Sequence, residues 1–450
     1  MVTLKRKALK RLIAVLLVAA CAFLLTPTFS ELHRLGEWGL FLYFLWLVPF
    51  LLLVGSQVFW IGRIINLLPG KRQFWLWIAA TALYVVFFVT YNFAPLTVFL
   101  TGHMIHPSDA RFYRTFIDGI FAVWLVGSFL GFGLVVFFWV LERLIRGIGW
   151  IGDQALELRS ATAARESNAV GVLSSTRRQL LRQLTVAVSV APFPVAAYGL
   201  LYERLNVEIT RRRVALARLP KAFEGFRIAQ LSDLHISSFM PAHEIRRFVA
   251  LTNDLKSDLV VLTGDYLSWD PAAQEEVVQI LAGLRARYGV LGCLGNHEVI
   301  MHAEESITRL FADTGIRILR QERASVESQG EMLNFIGVDD SQPDISPIEH
   351  LVMPNTVNIL LVHNIGRDFD RAAEYGIDLV LMGHTHGGQL SLEFLHRGLS
   401  LARLETPYVS GWYEKSGCKL YVNRGIGSTA IPIRLGARPE ITMFELVRGG

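Results

Sequence analysis

A chain of 450 residues exceeds the usual size of a single domain, and at 52% hydrophobic residues with a mean hydropathy of +0.38 it is too apolar for one water-soluble globule. The formal charge of +5 is small for this length, and the basic residues cluster beside apolar runs, which points to membrane orientation and away from nucleic-acid binding. Cys21, Cys293 and Cys418 lie far apart without CxxC spacing, which excludes a zinc ribbon and a disulfide framework and leaves a single Cys293 to Cys418 pair open.

Lys5, Arg6, Lys7, Lys10 and Arg11 precede an apolar run, residues 12–29, of the length a membrane helix needs. Val18-Ala19-Ala20-Cys21 within it resembles the lipobox of bacterial lipoproteins, but the run stays apolar past Cys21, which favours a retained span. Residues 40–60, 74–93 and 117–141 form three further spans, and residues 184–201 a fifth that contains Pro192 and Pro194. Together they predict an all-α transmembrane region over residues 1–205, with Trp38, Trp60, Trp75, Trp77 and Trp150 as interfacial anchors near the run ends. Fifteen Lys and Arg lie on the side of the amino end, against Arg34, Arg111 and Arg114 on the other. The amino end is therefore expected in the cytoplasm and everything after the fifth run outside it. Ser175-Thr176-Arg177-Arg178-Gln179-Leu180-Leu181-Arg182 resembles a twin-arginine export signal, and ordinary positive-inside flanking explains the same pair equally well. Arg204 and Arg211 to Arg213, just past the fifth run, oppose the outward placement.

From residue 206 the pattern changes to short apolar runs alternating with amphipathic segments, which predicts an α/β domain over 206–450. Strands are expected at 227–231, 259–262, 290–294, 357–362 and 378–382, and helices at 241–255 and 271–287, each opened by a proline. Residues 420–447 read as further strands broken by Gly425, Gly427 and Gly436.

The ends of those five strands carry the chemistry. They lead into Ser232-Asp233-Leu234-His235, Thr263-Gly264-Asp265, Gly295-Asn296-His297-Glu298, His363, and Gly383-His384-Thr385-His386-Gly387-Gly388-Gln389. Carboxylates, imidazoles and an amide at successive strand ends converge on one sheet edge, where open α/β sheets hold their ligands. Oxygen and nitrogen donors without cysteine suit manganese, iron or zinc rather than a thiolate zinc site. Seven candidate ligands are too many for one tetrahedral ion and fit two ions sharing a bridging carboxylate, the usual device for in-line attack on phosphorus.

The order DxH, GD, GNHE, H, GHTH resembles the calcineurin-like metallophosphoesterases, and SDLH, GHTHGGQ and the tail NRGIGSTAIPIRLGARPEIT are similar to their membrane-associated, twin-arginine-exported bacterial branch. The resemblance covers residues 216–446. It implies the family sandwich of two central sheets flanked by helices. It further implies that Asp233, His235 and His386 bind one divalent ion, that Asn296, His363 and His384 bind another, and that Asp265 bridges them. His297 would protonate the leaving oxygen. Two cations lower the pKa of a shared water, so that metal-bound hydroxide attacks a phosphodiester or pyrophosphate bond. The same resemblance implies a bacterial cell-membrane location and a lipid-linked or envelope substrate, such as a lipid A precursor resembling UDP-diacylglucosamine. A membrane sensor or scaffold that binds metal without turnover is the alternative.

Two departures bear on the carry-over: Ser268 stands where relatives often have an aspartate, and His363-Asn364-Ile365 replaces their His-x-Pro. Glu298 either orients His297 or caps a helix. Arg424 is a phosphate-contact candidate because guanidinium forks fit phosphoryl oxygens, and a salt bridge is its other reading. His243, His302, His350 and His396 have no motif around them and read as surface or core residues, and His103 and His106 read as solvated residues of an outer loop between spans, a metal or headgroup role being their other reading.

Overall fold

The computed structural model describes residues 55–57, 59, 60, 63, 111–157, 183, 184, 186–339, 346–366, 368–391, 393, 399–404, 406–429 and 431–449. The spans expected at 12–29, 74–93 and most of 40–60 lie outside them, as do Cys21, His103, His106, Arg177, Arg178 and His396. The chain divides into two units, one of residues Met1–Val89 and Trp124–Val195, the other of Thr90–Val123 and Ala196–Gly450. Helix α1 (Arg111–Glu157) contains a stretch, Gly119–Leu144, that is long and apolar enough to cross a membrane, and so is Val186–Leu205, which includes α2 (Pro192–Leu201). In the first unit a polar cluster joins separate segments: Trp124 Nε1 donates to Gln57 Oε1 at 2.8 Å, and Gln57 Nε2 to Ser128 Oγ at 2.6 Å. Polar bonds of this kind hold helices together where no water competes. Trp60 belongs to this cluster and is no interfacial anchor. It is buried, its indole donates to Ser128 O at 2.9 Å, and its ring lies edge-on to Phe193.

The second unit carries twelve strands among its described residues, in two six-stranded sheets. β1 (Glu208–Leu216), β2 (Arg227–Leu231), helix α3 (Ala242–Asp254), β3 (Leu259–Thr263), helix α4 (Gln274–Leu281), β4 (Val290–Cys293), helices α5 (Asn296–Ile300) and α6 (Glu304–Asp313), and β5 (Arg317–Ile318) follow in order. Next come β6 (Glu322–Ser328), β7 (Glu331–Val338), β8 (Val357–Val362), helix α7 (Phe369–Glu374), β9 (Leu379–Met382), β10 (Gly411–Lys415), β11 (Cys418–Val422) and β12 (Glu440–Arg448). The sheets run β1-β12-β2-β3-β4-β5 and β10-β11-β9-β8-β7-β6, with β2 to β5 and β7, β8, β9 and β11 parallel within each.

Parallel strands buried on both faces need continuous apolar sequence, and LVVLT, VNILLV and LVLM supply it: every residue of β3, β8 and β9 is buried. The sheets meet through Ile228, Val261, Leu291, Phe335, Ile359 and Leu381, while α3, α4 and α6 cover the outer face of the first sheet and α7 that of the second. Each such side chain contributes roughly 1.5–3 kcal/mol by leaving water. The helix expected at 271–287 is shorter, because Asp270 caps a 3₁₀ turn at Pro271–Ala273 and α4 ends at Leu281. Cys293 sits between the sheets and Cys418 under α7, so the pair left open by the sequence does not form.

Register places the site. Leu231 pairs with Leu262, and Thr263 with Cys293, so β2, β3 and β4 end nearly level; in the other sheet Leu361 pairs with Leu381, so β8 and β9 do the same.

Candidate metal centre

Beyond the strands, the loops continue side by side. Asp233 N donates to Gly264 O, His235 N to Asp265 O and Ile236 N to Tyr266 O, each at 3.0 Å. Asp233, His235, Asp265, His384 and His386 all have left-handed backbone, with φ between 49° and 72°. Side chains with a Cβ avoid that region, at a cost of roughly 1–3 kcal/mol each where they are forced into it, and such residues gather at functional sites. Two glycines make the crowding feasible. A Cβ on Gly295 would fall on Asp265 Oδ1, and one on Gly383 on Ser232 Oγ.

These loops bring all seven sequence-predicted ligands together. His235 Nε2 lies 3.1 Å from His386 Nε2 and 3.4 Å from Asp265 Oδ2, and His386 Nε2 is 3.4 Å from Asp233 Oδ1. On the other side His363 Nε2 is 3.2 Å from Asp265 Oδ2, and His384 Nδ1 is 3.0 Å from Asn296 Oδ1 and 3.2 Å from His363 Nε2. Asp265 thus touches both groups. The donor atoms of Asp233, His235 and His386, and those of Asp233, Asp265 and His363, lie within 4.8 Å of one another, as do those of His235, Asp265 and His297.

The protonation states suit cations. His235 donates Nδ1–H to Leu267 O at 3.0 Å and His363 donates Nδ1–H to Thr263 O at 2.7 Å, which leaves the Nε2 lone pairs facing inward. Burial lowers His235 to about 3, against the pull of Asp265, and burial together with His235 and Arg434 holds His386 well below its usual value. Burial raises the Asp233 carboxyl. Asp265 is buried too, yet His363, His235 and His297 hold it well below the usual carboxylate range. Ring nitrogens and carboxylate oxygens packed at about 3 Å, with no protein cation between them, crowd lone pairs together in a buried site and are relieved by divalent ions. The residues present therefore fit a metal pair of the oxygen and nitrogen class.

His297 packs against this cluster, its ring edge-on to His235 with centroids 4.5 Å apart. Its Nδ1–H donates to Ser268 O at 2.7 Å, its backbone N–H to Asp265 Oδ1 at 2.9 Å, and Thr429 Oγ1 lies 3.5 Å from Nε2. The backbone of Ser268, which stands where an aspartate was expected, thus orients the imidazole. Glu298 does not. Its carboxylate accepts the backbone N–H groups of Asp265, Tyr266, Leu267 and Gly295 at 2.8–3.0 Å, capping α5 and clamping the loop after β3. Burial and the Asp265 charge push its carboxyl up to about 8, against which these amides pull.

Arg424 pairs with Glu440 at 3.1 Å and Glu208 at 2.9 Å, the salt-bridge arrangement that the sequence left open. Arg434 was missed. It is wholly buried, and its guanidinium donates to Gly427 O, Arg424 O and Ala437 O and, at 3.1 Å, to Nδ1 of His386. Burial lowers it to about 9, with Asp233 pulling the other way. The one signal for it was an arginine set among the apolar and glycine residues of IPIRLGA. His243, His302 and His350 are exposed and stand outside the cluster.

Comparison with known proteins matches residues 226–388 to the family described as calcineurin-like phosphoesterase. Phosphodiesterase YaeI of Escherichia coli is 32% identical over 248 residues, covering 53% of this chain and 88% of that protein. The metallophosphoesterase YkuE of Bacillus subtilis is 29% identical over 280 residues, covering 60% of this chain and 97% of that protein. A zebrafish (Danio rerio) protein named transmembrane protein with metallophosphoesterase domain is 27% identical over 423 residues, 90% of this chain and 89% of its own.

Proposed function

The chain belongs to the calcineurin-like phosphoesterases, hydrolases of phosphoric esters that take two divalent metal ions, and on that premise we propose that it cleaves a phosphodiester or pyrophosphate bond in a lipid-linked substrate. The observation that carries the proposal is the convergence of Asp233, His235 and His386 on one side of Asp265 and of Asn296, His363 and His384 on the other. Each set would hold one ion, of manganese, iron or zinc, with Asp265 shared. When bound, the ions supply Lewis acidity to the phosphoryl oxygens and the attacking water. His297, held through Nδ1 by Ser268 O, keeps Nε2 toward the cluster. From there its acid form gives a proton to the departing oxygen. Glu298 contributes by fixing the backbone that carries Asp265.

The diester reading is supported by the name of the E. coli relative, and the lipid reading by two apolar helices and by relatives named as transmembrane proteins. In the same reading the chain is an integral membrane protein of a bacterial cell membrane with its metal domain outside. Arg204 and Arg211 to Arg213, which seemed to oppose that placement, belong to the folded second unit: Arg204 donates to Leu200 O and Phe239 O, and the other three lie in β1.

Metal analysis of the full-length protein in detergent tests the assignment. Two equivalents are expected in the wild type, one each in His384→Ala and His386→Ala, and hydrolysis of bis(p-nitrophenyl) phosphate should vanish in Asp265→Ala. Unchanged metal content in both histidine variants, or turnover that survives Asp265→Ala, refutes it. Carboxyl-terminal fusions test the side: a fluorescent green fluorescent protein fusion with an inactive alkaline phosphatase fusion would place the domain in the cytoplasm.

A further inference from the structure

Trp269 is 42% exposed, a large indole left in water beside a buried, tightly bonded centre. Its position is fixed from both sides. Ser268 O holds Nδ1 of His297, and Asp270 Oδ1 accepts Ala272 N at 2.9 Å to start the following turn. The indole lies edge-on to the His297 imidazole, with centroids 4.8 Å apart. One turn along α5 from His297, on the same face of that helix, Ile300 is 48% exposed. The rest of His297 is enclosed: the residue is 5% exposed and its Nδ1 is spent on the Ser268 carbonyl.

We infer that Trp269, with Ile300, forms the subsite for the leaving alcohol, and that it selects phosphoesters whose departing group is apolar. This rests on the proposed role of His297 as the acid. In that role, water oxygen bonds to phosphorus and gives up one proton to solvent, while the bond from phosphorus to the ester oxygen breaks. The bonding pair passes to the ester oxygen, which takes the Nε2 proton of His297 and leaves as an alcohol. An oxygen protonated by His297 must sit within hydrogen-bond reach of its Nε2, so the carbon chain on that oxygen extends past the imidazole. Trp269 borders that imidazole, Ile300 follows one turn along the helix, and both offer apolar surface. A polar or charged leaving group would keep its water and gain little there; an alkyl or acyl-bearing one would shed water against the indole.

The test uses full-length protein in detergent, loaded with manganese, and two dialkyl phosphates, dimethyl and dibutyl, whose leaving alcohols are of similar basicity. Wild type should favour dibutyl phosphate in kcat/KM by about tenfold, from the methylenes buried on the indole. Trp269→Ala should lose about tenfold on dibutyl phosphate and about twofold on dimethyl phosphate, chiefly through KM, and Trp269→Phe should restore most of the preference. Equal losses on both esters, or a wild type that favours dimethyl phosphate, overturn the inference while leaving the metallophosphoesterase reading in place. Hydrolysis that persists in Asp265→Ala overturns the reading and the inference with it.

Discussion

Replacing Glu298 by glutamine exchanges one oxygen acceptor for an N–H donor and changes almost nothing else. Glu298 Oε1 accepts from Tyr266 N at 2.8 Å and Leu267 N at 3.0 Å, and Oε2 from Asp265 N at 3.0 Å and Gly295 N at 2.9 Å. Glutamine keeps one acceptor and turns an NH₂ toward the other two amides, leaving them buried and unsatisfied. At roughly 1–3 kcal/mol for each orphaned amide, partly relieved by side-chain rotation, the loss is about 2–4 kcal/mol. The amides concerned belong to the bridging carboxylate and its neighbours, so the loss should appear locally. Hydrogen exchange at Asp265, Tyr266, Leu267 and Gly295 should accelerate roughly 30- to 1,000-fold, with β8 and β9 unaffected. Burial raises the carboxyl to about 8 with the amides already pulling toward the anion, so the exchange is to be read above pH 8, where the carboxylate accepts all four. A neutral Glu298 already presents a hydroxyl to two of those donors and would be mimicked by glutamine. Acceleration of less than about threefold, or an equal rise across the whole domain, would refute the clamp.

Gly295→Ala places a methyl on Asp265 Oδ1 and 2.6 Å from its backbone N. Metal content should fall toward zero while the amides of β3 and β4 stay protected, and a variant retaining two equivalents would contradict the bridging role of Asp265. In metal-stripped protein the fold holds His235 neutral, at about 3 against about 6.5 unfolded. Its contribution is therefore full above pH ~6.5 and is lost as pH falls from there toward 3. The raised carboxyls of Asp233 and Glu298 act in the opposite sense, so the comparison to make is with His235→Gln, whose thermal midpoint should fall less between pH 6.5 and 4. Equal slopes would refute the assignment. A fragment beginning at Pro220 lacks β1, which pairs with β12 along its whole length, and Glu208, a partner of Arg424. It should aggregate or bind less metal than one beginning at Ala196, as measured by size-exclusion chromatography and metal analysis.

The strands that carry ligands were legible because both of their faces are buried: RIAQL, LVVLT, VLGC, VNILLV and LVLM have no charged residue beyond Arg227 and could be placed to within a residue or so. Sheet edges were not legible. β1 (EITRRRVAL) and β6 (ERASVES) carry charges on exposed faces, so neither shows an apolar run, and the arginines of β1 read as membrane flanking. At the site the ligand types and order could be read, because few other chemistries need carboxylate, imidazole and amide at successive strand ends. What fixes them in place could not. The partners of His235, His297 and His363 are backbone carbonyls of Leu267, Ser268 and Thr263, which any residue would supply. Glu298 was noticed, but its partners are also backbone groups, and only their convergence in space separates a clamp from an orienting base.

The tail supplies the last part of the site, and it does so largely outside the family match, which ends at residue 388. Ile426 N donates to Ser232 O and Gly427 N to Asp233 O, which lays the tail along the first ligand loop; Thr429 reaches His297 and Arg434 reaches His386. The same segment meets the apolar helix within the second unit, where Gly436 N donates to Glu203 Oε1 and a Cβ on Gly199 would strike Arg434 O. Arg434 also makes the two ligand sets unequal. His235 and His363 give their Nδ1 protons to carbonyls, which leaves the opposite nitrogen free for an ion, whereas His386 receives a guanidinium N–H at Nδ1 and so carries its own proton on Nε2, the nitrogen that faces the cluster. Binding an ion there therefore costs that proton, so occupancy of the set containing Asp233, His235 and His386 should fall more steeply with decreasing pH than occupancy of the other, as metal analysis across pH would show.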